Sequence, residues 1–436
     1  MEKSILRRVA KENPLWGNFH TGWKDVQKNL KDNDIAIEFV DISSELDNTF
    51  DIDSLTDYSA VLIRKGWGSP KYIHLGRKQD IDSHIKKLSS DIDRLDRQEW
   101  ENHCSSLYQL IWKPLECFWN ENDNIFFSPT SKLCQFCIES LEDSTHTIFN
   151  EKYSTFRVSS TKELCMNKKT PSYKNAALYG DLNYDMNPTD MERESHAYHY
   201  NREAFRTKNI NRQTRSTLNH LPMTRIEIDS ICNNLHKNHI HTDIFTQTKG
   251  TEESFKSLSG KDISILHLAT HGFFLNKEEA NDISYFNEQN RHLYAMNRSG
   301  LILSGGENVI KGIQLPQEVE DGILLSSEIA LLDLSSVDIA VLSACQTGLG
   351  EIENEGVFGL QRGFKKAGAN TILMSLWEVD DSATQILMTQ FYKNYLSGQS
   401  KRESLLSAQK YLREYDNGKY NNPKYWAAFI MLDGLN

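Results

Sequence analysis

The sequence has no run of about 18 apolar residues, the length a membrane-spanning helix requires, so no transmembrane segment is expected. Its opening, Met1-Glu2-Lys3-Ser4-Ile5-Leu6-Arg7-Arg8, lacks an apolar core, and no secretory signal is expected. A basic surplus is missing too: 49 Lys and Arg stand against 60 Asp and Glu, a net charge of −11. A phosphate backbone needs a basic face, so direct nucleic-acid binding is not the expected role. Cysteine is scarce, odd in number at 7, and scattered, which reads as reduced core thiols in a cytoplasmic chain rather than a disulfide framework. Cys134 and Cys137 form one CxxC pair, but no second pair or spaced His pair completes a zinc set, and Leu133, Phe136 and Ile138 around it have the pattern of a strand. No metal is expected there. There is no internal repeat. A Gly-x-Gly-x-x-Gly after the first strand and a Gly-Lys-Ser/Thr loop are both absent, which weakens a nucleotide-binding reading.

Hydrophobic residues make up 39% and charged residues 25% of the 436, amounts that suit a soluble globular protein of two or more domains. Residues 23–30 have helical spacing, and 35–40, 58–64 and 71–75 are short apolar runs with strand character. A charged helix at 79–95 and an apolar, aromatic one at 104–119 follow, then strand candidates at 124–127, 132–137 and 153–159. From Ala176 onward strands and helices alternate. Strands are expected at 176–182, 242–248, 263–270, 337–344, 371–377 and 426–432, and helices at 225–236, 251–258, 326–332, 356–367, 382–396 and 401–415. Such alternation predicts an α/β fold with a mainly parallel sheet and helices on both faces. The change in pattern divides the chain into an N-terminal α/β region, residues 1–170, and a second domain, residues 171–436. The polar stretches 185–221 and 275–296 read as long loops, where lids and processing sites occur.

In open α/β sheets reactive groups collect at the carboxyl ends of strands. Three predicted strand ends carry unusual polar residues: 263–270 runs into His271-Gly272, 337–344 into Cys345-Gln346-Thr347-Gly348, and 371–377 into Glu378-Val379-Asp380-Asp381. A free thiol, with a pKa of about 8.5, is only a few per cent thiolate at neutral pH. A neighbouring imidazole accepts its proton and, once charged, favours the thiolate. Gly272 has no side chain to block approach, and its amide together with that of Cys345 could donate to a developing oxyanion. Taken singly, each residue has a plainer reading. A cysteine ending a buried strand is usually a core thiol, and His267, inside its strand, reads as a hydrogen-bonded core histidine.

The blocks Leu266-His267-Leu268-Ala269-Thr270-His271-Gly272-Phe273-Phe274 and Val341-Leu342-Ser343-Ala344-Cys345-Gln346-Thr347-Gly348-Leu349-Gly350 resemble the signature blocks of CHAT-domain proteins, a caspase-related family often fused to tetratricopeptide repeats. The resemblance continues through Gly356-Val357-Phe358-Gly359-Leu360-Gln361-Arg362, Ser375-Leu376-Trp377-Glu378-Val379-Asp380-Asp381 and Tyr425-Trp426-Ala427-Ala428-Phe429. Upstream, Ser159-Ser160-Thr161-Lys162-Glu163-Leu164 and Tyr179-Gly180-Asp181-Leu182-Asn183-Tyr184 are similar as well. It implies a caspase-like fold and a cysteine endopeptidase with Cys345 as nucleophile and His271, not His267, as general base. Separase is similar at the Trp-x-Val-x-Asp block and pairs its active domain with an inactive caspase-like one, which implies that residues 1–170 are a pseudo-caspase-like region.

Unlike the common arrangement, this sequence has no repeats. The expectation is a fragment, or a chain whose activating partner or repeat domain comes from another chain. Some relatives serve in bacterial defence, which gives a possible context here. The chemistry requires no cofactor, and the expected partner is a protein substrate. Asp380 and Asp381 lie at the edge where this fold class has its specificity pocket, so a basic residue is expected before the cleaved bond. They also precede a helix, whose free amides they would cap. A catalytically silent interaction scaffold on the same fold is the alternative from a different class.

Overall fold

In this computed structural model the described residues are 21–43, 56–90, 92, 94–166, 173–200, 218–275, 295–316, 318–344, 350–353 and 356–435. The chain divides into two compact units, one of residues 1–133 and 138–170, the other of 134–137 and 171–436. Among the described residues no helix is long and apolar enough to cross a membrane.

The first unit is built on a five-stranded sheet of β1 (Asp34–Ser43), β2 (Thr56–Arg64), β3 (Lys71–Arg77), β4 (Asn124–Ser128) and β5 (Ser154–Arg157), in spatial order β3-β2-β1-β4-β5. β1 runs antiparallel to β2 and parallel to β4, so this sheet is mixed. Helices α1 (Trp23–Asn29), α2 (Lys78–Ser90) and α3 (Arg97–Ile111) accompany it. The aromatic segment expected as one helix over 104–119 is split. Asp96 caps α3 in a reciprocal pair with Glu99, which starts the helix earlier. Pro114, which lacks an amide hydrogen and crowds the preceding turn, leaves only a 3₁₀ stretch, Lys113–Phe118, beyond it. Trp112, at the junction, is fully buried, stacks on Phe149 at 4.1 Å and donates its indole N–H to the Ile138 carbonyl at 2.7 Å.

The second unit carries a six-stranded sheet. Its strands are β6 (Asn175–Leu182), β7 (His241–Gln247), β8 (Ile265–Ala269), β12 (Ile339–Ser343), β15 (Thr371–Ser375) and β16 (Phe429–Leu432), in spatial order β16-β15-β12-β8-β6-β7. All neighbours are parallel except β15 and β16. Between β8 and β12 the chain forms a smaller antiparallel sheet of β9 (His271–Phe274), β10 (Ser299–Ile302) and β11 (Ile323–Leu325), and after β12 a hairpin of β13 (Gly350–Glu353) and β14 (Gly356–Gly359).

Every residue of β8 and β12 is buried, as expected of parallel strands covered on both faces. Residues paired in register share a face, so Leu178, His267 and Val341 line one side, and Tyr179, Leu268 and Leu342 the other. The first side receives α4 (Met223–Lys237) and α8 (Asp381–Leu396), whose Glu227 and Tyr392 reach His267. The second receives α5 (Glu252–Lys256) and α7 (Leu360–Lys366): the Tyr179 ring meets Phe255, which meets Phe364. The mainly parallel α/β architecture with helices on both faces is the one the alternation predicts.

Four local expectations are corrected. Residues 132–137 do not form a strand: Ser131, in the left-handed region at φ 49°, opens a 3₁₀ turn, Ser131–Gln135. Residues 356–367 are not one helix, because Gly356–Gly359 pairs with β13 and α7 begins only at Leu360. The closing strand does not start at Trp426. Asn422 caps a short helix, Pro423–Trp426, and the strand starts at Phe429. The stretch 185–221 holds the helix Pro188–Ser195, capped by Asn187, while 201–217, like 276–294, lies outside the described residues.

One buried ion pair ties the amino ends of the central strands. α9 (Lys401–Glu414) begins with Lys401, 1% exposed, whose Nζ lies 2.8 Å from both oxygens of Asp338 and 3.1 Å from Thr371 Oγ1. Asp338 precedes β12, and Thr371 opens β15. Burial works against both charges. The Asp338 carboxyl still ends below its ordinary value, because Lys401, Asn370 and Tyr173 outweigh burial; the Lys401 ammonium ends below its own, burial outweighing Asp338. Lys401→Met strands the carboxylate and should cost about 3–5 kcal/mol, read from denaturant midpoints. The Asp338 contribution is present above the ordinary carboxylate range and should fade as pH falls through it. A Lys401→Met midpoint equal to wild type at neutral pH would contradict this role.

Candidate active site

The ends of β8, β12 and β15 lie side by side, because Ala269 pairs with Ser343 and Leu342 with Met374. From β8 the chain passes Thr270 to His271. From β12 it passes to Ala344, whose carbonyl accepts a 2.6 Å hydrogen bond from the Ser375 hydroxyl. From β15 it passes through Trp377 to Glu378 and Asp381. A cavity of about 450 Å³ opens at these ends, lined by Thr270, His271, Ser343, Ala344, residues 378–381 and part of 219–227. Cys345, which follows Ala344, lies outside the described residues, as do 346–349.

His271 is half-buried at the start of β9. Its Nε2 is 2.7 Å from the carbonyl oxygen of Asn219. A carbonyl can only accept, so Nε2 carries the hydrogen, and in the neutral ring Nδ1 holds the free lone pair. Among the described residues Nδ1 has no hydrogen-bond partner. Tyr184 packs beside the ring, centroids 4.9 Å apart, with its hydroxyl 3.0 Å from Thr270 Oγ1. Burial pushes the Tyr184 phenol up to about 12, so it stays neutral at physiological pH. Neither the Asn219 carbonyl nor Tyr184 is evident from the sequence as a partner of His271. Every residue has a carbonyl, and only the path of residues 218–222 makes this one special.

His267 is a different kind of histidine. It is fully buried, its Nε2 lies 2.9 Å from Glu227 Oε1, and its Nδ1 lies 3.3 Å from the Tyr392 hydroxyl. It bridges α4 and α8, the core role its place within the strand suggests.

The cavity is acidic. Glu227, Glu378, Asp380 and Asp381 line it, with His220 and His271 as its imidazoles. Asp380 is committed as the N-cap of α8, its Oδ1 accepting the Ala383 N–H at 2.8 Å. Asp381, in the first turn, is differently placed. Burial and then the Asp380 charge push its carboxyl above the ordinary value, Glu227 and Glu378 add to the rise, and His271 acts the other way.

Gly272 follows His271 in β9. Hydrogen-bonded and non-hydrogen-bonded pairs alternate along an antiparallel ladder. The Leu275 N–H donates to the Arg298 carbonyl at 2.8 Å, one pair beyond Phe274↔Ser299. Counting back by twos, Gly272↔Leu301 is a non-hydrogen-bonded pair, so the Gly272 N–H turns away from β10. β9 is the edge of its sheet, which leaves that amide pointing off the edge.

A family model described as the CHAT domain matches residues 101–434. Tetratricopeptide repeat protein 28 of Mus musculus is 34% identical over 110 residues, which is 25% of this chain and 4% of that protein. Its Homo sapiens counterpart is 31% identical over 110 residues, again 25% and 4%. The chain thus spans a small fraction of the curated relatives it matches. Among solved structures, the separase of the Saccharomyces cerevisiae separase–securin complex is similar over 94% of this chain and 30% of that chain, with 9% identity and a TM-score of 0.49. The complex of Porphyromonas gingivalis RgpB pro- and mature domains is similar over 81% and 75%, with 8% identity and a TM-score of 0.37.

The two histidines should separate in stability measurements. His267→Ala leaves the Glu227 carboxylate buried opposite a cavity and should cost on the order of 3 kcal/mol. His271→Ala, at the rim, should cost about 1 kcal/mol or less. Urea midpoints of the two variants decide it, and equal losses would refute the division.

Proposed function

The chain belongs to the CHAT domain family, and on that premise we propose that it is a cysteine endopeptidase. Cys345 is the nucleophile and His271 the general base. The observation that carries this is the hydrogen bond from His271 Nε2–H to the Asn219 carbonyl, which leaves Nδ1 basic at the strand end next to the one Cys345 follows. Nδ1 takes the thiol proton, and the thiolate attacks the scissile carbonyl. The amides of Gly272 and Cys345 hold the oxyanion that forms. The imidazolium then gives its proton to the leaving amine, and water hydrolyses the acyl-enzyme.

The acidic cavity supports a basic residue before the cleaved bond. Asp380 already caps the Ala383 amide, and Asp381, in the first turn of α8, is the cavity carboxylate proposed to receive the cation. Burial first, and then the neighbouring Asp380 charge, disfavour its ionised form, and an arriving guanidinium compensates both. The name of the curated relatives, tetratricopeptide repeat protein 28, supports a repeat domain as the regulator, on the same protein or on another chain. A pseudo-caspase-like first unit, a cytoplasmic setting and a role in bacterial defence belong to the same reading.

The test is a peptide library differing only at the residue before the scissile bond. Wild type should favour Arg, then Lys, and Asp381→Asn should flatten that preference. Cys345→Ala should abolish cleavage, and His271→Ala should lower it by about a hundredfold or more. Full activity in Cys345→Ala would defeat the mechanism, and a preference for acidic or apolar residues would defeat the pocket.

A further inference from the structure

We infer that Asp181 is a positioning residue for this site, acting through His220 and Thr224 to hold the Asn219 carbonyl against His271. The inference rests on the reading of His271 as the base. Residues 218–220 belong to no helix or strand, so their seat is set by side chains. Asp181 stands near the end of β6 with φ 52°, a conformation uncommon for a residue other than glycine. Its side chain is 11% exposed. From there it grips the segment just after Asn219, at His220 through its side chain and at Thr224 through its backbone. Its Oδ1 lies 3.2 Å from His220 Nε2, and its backbone N–H donates to Thr224 Oγ1 at 2.9 Å. Thr224 Oγ1 in turn donates to the Leu221 carbonyl at 2.6 Å. A further tie, Leu218 N–H to Glu307 Oε1 at 3.2 Å, holds the preceding residue.

The Asn219 carbonyl lies between these ties and decides which nitrogen of His271 bears the hydrogen. If the segment shifts, Nε2–H loses its acceptor, and the ring is free to hold its proton on Nδ1, the nitrogen that must be basic. Asp181 touches no reacting atom; it keeps the base in the usable tautomer and orientation.

The experiment is nitrogen-15 NMR of the full chain labelled at histidine, with the His271 signals identified by their loss in His271→Gln. Wild type should show His271 as the Nε2–H tautomer. Asp181→Ala and His220→Ala should each move it toward a mixture, while Asp181→Asn, whose amide oxygen still accepts from His220, should restore it. In parallel, kcat of Asp181→Ala on the preferred peptide should fall on the order of tenfold to a hundredfold with little change in KM. Should Asp181→Ala fail to fold, His220→Ala, a change at an exposed ring, decides alone. An unchanged tautomer in the folded variants overturns the inference. The tautomer is read without any cleavage, so a wild type that cuts nothing would instead count against the proposed function.

Discussion

In-register parallel pairing of β8, β12 and β15 determines where every other part of the second unit can stand. Neighbouring strands lie about 4.8 Å apart, so Ala269, Ser343 and Ser375 finish almost abreast, and whatever follows them is gathered at one edge. Helices on both faces close the sides of the sheet and leave that edge as its open place. The opposite ends are pinned by a buried pair, Lys401 with Asp338, which ties the starts of β12 and β15 to α9. The pairing thus brings the segment carrying His271 and the acidic turn before α8 to the strand end that Cys345 follows.

Within that frame two histidines four residues apart do different work because of what they can touch. His267 points into the helical layer and meets Glu227 and Tyr392. Two steps beyond the end of β8, His271 meets a peptide carbonyl. One contact steadies a fold; the other assigns a tautomer. The same distinction divides the two aspartates. Asp380 accepts from the Ala383 amide, whereas burial and neighbouring carboxylates disfavour the ionised form of Asp381.

Much of this was legible in the sequence because it is written in long-range pattern. Alternating apolar strands and helices gave the sheet, and the polar residues after three strands gave the edge where a site could form. The smaller sheet was not legible. Ser299–Ile302 and Ile323–Leu325 are short, and they become strands only by pairing with β9 and each other. The 3₁₀ turn at Ser131 and the split of 356–367 depend on single backbone angles and on a hairpin partner, which periodicity does not report. Least legible was the Asn219 carbonyl. Its proposed role comes from the route of residues 218–222, held by nearby Thr224 and by Asp181 and Glu307 from distant parts of the chain.

The most direct measurement of the central claim, that Cys345 is activated by His271, is selective covalent capture. The folded chain is treated with a substoichiometric peptidyl acyloxymethyl ketone ending in Arg, digested, and mapped by mass spectrometry. Such a reagent responds to an activated thiolate rather than to exposure, and Cys117, an exposed cysteine, serves as the internal control. The account predicts one adduct, on Cys345, with Cys117 unmodified, and its loss in His271→Ala. Labelling that spares Cys345, or that marks Cys345 no faster than Cys117, would contradict it and favour a catalytically silent scaffold.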